Sequence, residues 1–174
     1  ANYTITKVVG KLTVTPITTK IVITADSNDK VYDGTALTDS GFTYTSGILL
    51  TGDVLSAVVE GTITNVGTAD NVVTSYKVMR GLTDVTGNYT FDPSVKGELE
   101  VTKRPVTLTS ATDSKVYDGT ALTNGTVTVT GSGWATGEGA AYTVTGSQLD
   151  VGFSDNTFSY LLNAGTLAAH YTIT

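Results

Sequence analysis

Lys30-Val31-Tyr32-Asp33-Gly34-Thr35-Ala36-Leu37-Thr38 (KVYDGTALT) returns unchanged as Lys115 to Thr123, 85 positions further on. A nine-residue identity at that distance marks an internal repeat, and a repeat decides how the rest of the chain is divided. The same offset extends outward. Thr43 and Thr45 match Thr128 and Thr130, Thr51-Gly52 matches Thr136-Gly137, and Val66-Gly67 with Asp70-Asn71 matches Val151-Gly152 with Asp155-Asn156. Upstream, Ile21-Val22-Ile23-Thr24 aligns with Val106-Thr107-Leu108-Thr109. Gly97-Glu98-Leu99-Glu100-Val101-Thr102 echoes Gly10-Lys11-Leu12-Thr13-Val14-Thr15, and Asn88-Tyr89-Thr90 echoes Asn2-Tyr3-Thr4, with His170-Tyr171-Thr172 a looser copy.

These echoes predict three pieces: residues 1–15 as the closing strands of a preceding unit, 16–102 as a complete unit, and 103–174 as a second unit lacking its closing strand. Pro16 and Pro105 fall at the seams, where a residue that cannot donate to a central ladder is tolerated. The chain holds 35 Thr and 21 Val among 174 residues, so about a third of it is two stiff, β-branched types that pack well on a pleated sheet. The expected class is all-β. Seven short strands per unit are predicted, at Lys20 to Ala25, Lys30 to Tyr32, Phe42 to Thr45, Val54 to Val59, Thr62 to Asn65, Asn71 to Val78, and Tyr89 to Phe91 continuing to Leu99 to Val101. Turn signals every 8 to 12 residues or so suit tandem antiparallel β-sandwich modules of immunoglobulin-like type. The alternative is a β-grasp-like module, which needs a helix that no 3.6-residue period announces.

Composition removes several functions. A net charge of −6 with ten Lys plus Arg lacks the basic footprint of a nucleic-acid binder. No apolar run approaches the roughly 20 residues of a membrane span. Zero Cys excludes disulfides, thiolate nucleophiles and zinc-thiolate sites together. No signal peptide is visible, because Asn2 to Thr6 already alternates like a strand, and the chain reads as an excised interior fragment.

The KVYDGT signature, the NVGTADN or DVGFSDN segment and the closing NYT…GxLxVT pattern together resemble the YDG and MBG type repeats of large bacterial surface proteins. The resemblance covers essentially the whole chain. It implies an extracellular tandem module in an adhesin-like or cell-wall-associated protein, with no ligand specified. His170 departs from it by standing where Asn88 stands in the first unit.

The conspicuous residues read mainly as structural. Lys30, Tyr32, Asp33, Gly34 and Thr35, with Lys115, Tyr117, Asp118, Gly119 and Thr120, form a strand, a bend with Gly free to take positive φ, and a resumed alternation. Tyr32 and Tyr117 are expected in equivalent, largely buried environments, their hydroxyls bonded to backbone. A recognition loop for glycan is the competing view. Lys30 and Lys115 raise the question of an isopeptide bond to Asn65 or Asn88, against an ordinary Lys–carboxylate pair. Asp26, Asn28 and Lys30 do not make an EF-hand, since the twelfth position is Leu37, and irregular calcium donors would be Asp26, Asp29, Asp113 or Glu138. Gly131 to Gly139 (GSGWATGEG) lacks the following helix of a phosphate loop. Trp134 aligns with Leu49, which points to packing, with a sugar-stacking contact as the alternative. His170 has no Ser or Cys partner pattern, and no carboxylate pair recurs in both units, so no enzyme, metal or cofactor is expected. The sequons at Asn2, Asn88 and Asn124 carry no weight in this context.

The function expected is a non-catalytic structural or adhesive stalk on a bacterial surface, with a glycan- or host-ligand-binding module as the alternative. Its partners would be neighbouring repeats. The two units are expected as a rod joined near Val101 to Arg104 through a small, partly polar interface. Because the second unit stops at Thr174 before any closing strand, residues 8–14 of one molecule are a candidate to complete the second unit of the next by strand addition.

Overall fold

The computed structural model describes residues 2–45 and 48–174. Every regular element longer than a 3-10 turn is a strand, as the β-branched composition requires. The first repeat holds β1 (Lys20–Ile21), β2 (Ile23–Ala25), β3 (Asn28–Val31), β4 (Phe42–Tyr44), β5 (Asp53–Glu60), β6 (Gly67–Arg80), β7 (Thr83–Asp84), β8 (Thr90–Phe91) and β9 (Gly97–Thr102). The second holds β10 (Arg104–Ser110), β11 (Val127–Gly131), β12 (Ala140–Val144), β13 (Phe158–Leu162) and β14 (Tyr171–Ile173). Short 3-10 turns at Thr86–Asn88 and Ala168–His170 lead into β8 and β14. No helix among the described residues is long and apolar enough to cross a membrane.

Pairing is mixed rather than antiparallel throughout, which corrects the antiparallel expectation. β1 runs parallel to β8, β3 to β9, and β10 to β14. The remaining ladders, β2–β4, β5–β6, β6–β7, β6–β9, β10–β11 and β12–β13, are antiparallel. β6 serves three neighbours: Gly67 to Asn71 pair with β9, the remainder pairs with β5 across a bulge at Val58/Val59, and Met79 and Arg80 also pair with β7. A long strand shared in this way curls the sheet. The strand expected at Thr62 to Asn65 is reduced to one bridge, Ile63 with Leu37. Pro105 lies inside β10 beside Thr172 rather than in a free junction.

The alternating pattern sorts side chains as expected. In β9, Gly97, Leu99 and Val101 face inward while Glu98 and Glu100 face water. One core cluster, built on Ile21, Ile23, Leu55, Val78 and Tyr89, belongs to the first repeat alone. The other joins Tyr32, Leu37, Leu99 and Val101 to Val106, Leu108, Ala135 and Tyr171, so it crosses the seam. The interface expected between the units as small and partly polar is built on a shared apolar core, with polar contacts from Glu138 and Arg104 to Tyr32 beside it. Its cause is the brevity of the connection: β9 ends at Thr102 and β10 begins at Arg104, so their inward faces continue one another.

The repeated Asp-Asn pair is structural. Asn71 is fully buried, and its Nδ2 donates to the carbonyl of Asp26 at 2.8 Å. Asn156 does the same to Ala111, 85 positions after Asp26, at 2.9 Å. Each ties the repeated Asp-Asn segment to the residue that follows an early strand, β2 in the first repeat and β10 in the second. Asn71→Ala strands the Asp26 carbonyl, and chemical denaturation is expected to show a loss of about 1 to 3 kcal/mol.

Candidate functional site

The KVYDGT stretch folds into a self-contained clasp in both copies. Asp33 Oδ1 accepts from Lys30 Nζ at 2.7 Å, from the Thr35 N–H at 2.9 Å and from the Thr35 hydroxyl at 2.8 Å. Lys30 Nζ also donates to the Thr35 carbonyl at 2.6 Å. Asp118 repeats the set with Lys115 at 2.8 Å and with the Thr120 N–H and hydroxyl at 2.9 and 2.8 Å. Gly34 at φ 82° and Gly119 at φ 79° supply the left-handed bend that lets the chain reverse around the carboxylate. The Lys ammonium, then the Thr N–H and hydroxyl, hold both carboxyls well below the usual carboxylate range. Lys30 and Lys115 are thus engaged as ordinary ion pairs with Asp33 and Asp118, not aimed at Asn65 or Asn88.

The tyrosines within these identical clasps part company. Tyr32 is 5% exposed and Tyr117 is 60% exposed. The expected equivalence fails, because what buries Tyr32 is the following repeat. Its ring lies over His170, centroids 4.1 Å apart, and meets Tyr171 edge-on at 5.8 Å. Its hydroxyl donates not to backbone but to Glu138 Oε1 at 2.5 Å, while the Tyr171 hydroxyl donates to Glu138 Oε2 at 2.8 Å. Arg104 completes the socket: Nη1 donates to the Tyr32 carbonyl at 3.2 Å and Nε to the Gly133 carbonyl at 2.7 Å. Trp134 packs its ring edge-on to Tyr171 at 4.9 Å, and its Nε1–H donates to the Tyr142 hydroxyl at 3.0 Å.

Arg104, Glu138, His170 and Tyr171 carry no motif of their own, and reading motifs alone passes over them. A signal was nonetheless present in the repeat. Glu138 aligns with Asp53 and Tyr171 with Tyr89, and the first repeat makes the same pair: Tyr89 donates to Asp53 Oδ2 at 2.5 Å and receives the Leu50 N–H at 3.1 Å. There Arg80 neutralises the acid through Nε at 2.5 Å and Nη2 at 2.8 Å, holding the Asp53 carboxyl below its ordinary range. In the second repeat a tyrosine from the preceding repeat takes the corresponding place.

The hydrogen bond to Glu138, then burial, raise Tyr32 from 10.0 to about 12. A folded-state pKa above the unfolded value means the neutral phenol stabilises the seam below pH 10 or so and stops doing so as pH climbs toward 12. Alkaline titration is expected to loosen the seam in that window, with tyrosinate absorbance rising in step. Tyr32→Phe should remove the step.

His170 is buried, its Nδ1 has no hydrogen-bond partner among the described residues, and its ring lies against that of Tyr32. Among the described residues no three His, Cys, Asp or Glu converge on a metal position, so Asp26, Asp29, Asp113 and Glu138 do not form a calcium site together. Compared with known proteins, the chain matches no family model, no curated protein and no solved structure.

Proposed function

We propose that this chain is a non-catalytic structural segment of a bacterial surface protein, built of tandem YDG/MBG-like repeats that carry a distal part of the molecule outward. The observation that carries this reading is the burial of Tyr32 in the Glu138–His170–Tyr171–Arg104 socket of the next repeat. A motif residue used to join one repeat to the next serves a string of modules. The extracellular setting rests on the resemblance alone. At the finer level of fold, parallel pairing of each repeat's first strand with a late one favours a β-grasp-like strand order over an immunoglobulin-like sandwich, although neither repeat places a helix among the described residues. The glycan-binding alternative draws less support, since the Trp134 ring and N–H are engaged by Tyr171 and Tyr142.

Orientation measurements by residual dipolar couplings test the joint. The two repeats should align as one body in the native chain and separately in Tyr32→Ala. Independent alignment in the native chain would remove the basis for a spacing role, and reproducible glycan binding abolished by Trp134→Ala would replace it with the alternative.

A further inference from the structure

One turn differs chemically between the repeats. Asn124-Gly125 aligns with Asp39-Ser40, and it is the one Asn-Gly step among the eight asparagines of the chain. Both pairs lie in the irregular stretch ahead of a strand, β4 in the first repeat and β11 in the second. They are held alike. Asp39 accepts the Gly41 N–H on Oδ1 at 2.7 Å and Asn28 Nδ2 on Oδ2 at 2.9 Å. Asn124 accepts the Thr126 N–H on Oδ1 at 3.0 Å, and its Nδ2 donates to Asp113 Oδ2 at 3.2 Å. The acid and the amide have exchanged places across an otherwise preserved contact.

Asn124 is arranged for attack by its own backbone. Its Oδ1 reaches forward to the N–H two residues on, which folds the side-chain carbonyl over the intervening Gly125 nitrogen. The same hydrogen bond places a donor on the oxygen that gains charge when a nucleophile adds to Cγ. Among the described residues the Gly125 N–H has no acceptor, and Gly125 is exposed with nothing within 4 Å of an added Cβ, so water reaches the site. Asp39 is half-buried and Ser40 exposed in the same way with β9 in place against β3, so this access is a property of the turn itself.

We propose that Asn124-Gly125 is a site of spontaneous deamidation, which turns the contact between positions 124 and 113 from attractive to repulsive. The Gly125 nitrogen, its proton lost to solvent, adds to Asn124 Cγ. The N–Cγ bond forms, the Cγ–Nδ2 bond breaks, and Nδ2 leaves as ammonia with a proton taken from water. Water then opens the cyclic imide at either carbonyl, giving aspartate at position 124 or, with the main chain rerouted through Cγ, isoaspartate. The aspartate product sets a carboxylate against Asp113 where an amide donated before, and like charges at that range repel. Isoaspartate lengthens the main chain by one carbon between two anchors of the turn, the Asn124 carbonyl held by Asn156 Nδ2 and the Thr126 carbonyl held by the Ala111 N–H, each at 3.0 Å. The Asp-Gly steps at Asp33 and Asp118 do not share this course. Lys30 and Lys115 hold their carboxyls ionised, and an ionised carboxylate resists nucleophiles.

Storage of the 174-residue chain in mildly alkaline buffer, followed by peptide mapping and enzymatic detection of isoaspartate, tests the assignment. Position 124 should convert about tenfold or more faster than Asn65, which is exposed but followed by the β-branched Val66. Gly125→Ala, where the added methyl has room, should bring the rate down toward that of Asn65. Asn124→Asp should lower the thermal midpoint by about 2 to 4 °C, and adding Asp113→Asn, which copies the Asn28–Asp39 arrangement, should restore it. Conversion at 124 no faster than at Asn65, or a rate unchanged by Gly125→Ala, overturns the site. Asn124→Asp as stable as the parent, or not rescued by Asp113→Asn, overturns the repulsion. Neither result bears on the Tyr32 joint, whose test is separate.

Discussion

Tyr32→Ala is expected to destabilise the chain by about 3 to 5 kcal/mol, while Tyr117→Ala, in an identical nine-residue context, changes stability by about 0.5 kcal/mol or less. The first substitution empties a site closed by His170, Tyr171 and Leu99-side packing and removes a donor from Glu138. The second trims a side chain that is 60% exposed. Thermal denaturation should show a fall of about 10 °C for the first and almost none for the second. Tyr32→Phe separates the two contributions, keeping the ring and losing only the hydrogen bond to the carboxylate, at about 1.5 to 3 kcal/mol. Equal losses at positions 32 and 117 would show that the motif tyrosine serves its own repeat, and the socket would lose its meaning.

Gly97→Ala should cost about 3 kcal/mol, and Gly10→Ala nothing measurable in the monomer. At Gly97 the added methyl meets the backbone of Asp26 and the Ala25 carbonyl, atoms that cannot swing aside as a side-chain tip would. Asp26 is also where Asn71 attaches, so displacement there loosens a second buried contact. Around Gly10 nothing lies within 4 Å. Urea unfolding of the two variants measures the contrast. A Gly97→Ala chain as stable as the parent would mean that β9 can lift from β3 and β6 without loss.

The clasp carboxylates have the opposite pH sign from the tyrosine. Asp33 and Asp118 are held below their ordinary range, so their contribution is complete above that range and fades as pH falls below it. Both are solvent-facing, and screening keeps the effect small.

Amino-acid order by itself determined the local structure. The 85-residue period, the all-β class, and the Lys–Asp–Gly–Thr bend are set by neighbours within a few positions, which is why Asp33 and Asp118 form superimposable hydrogen-bond sets. The alternation of GELEVT likewise dictates which side chains of β9 turn inward. Only the tertiary structure decided which strands pair in parallel and what becomes of two identical tyrosines. A parallel ladder joins segments some 70 residues apart, as Lys20 with Thr90 and Asn28 with Leu99 do, and no local pattern encodes that choice. Burial belongs to the surroundings rather than to the residue: Tyr32 is covered because Glu138, His170 and Tyr171 arrive from across the seam, and Tyr117, with the same neighbours in sequence, meets none of them.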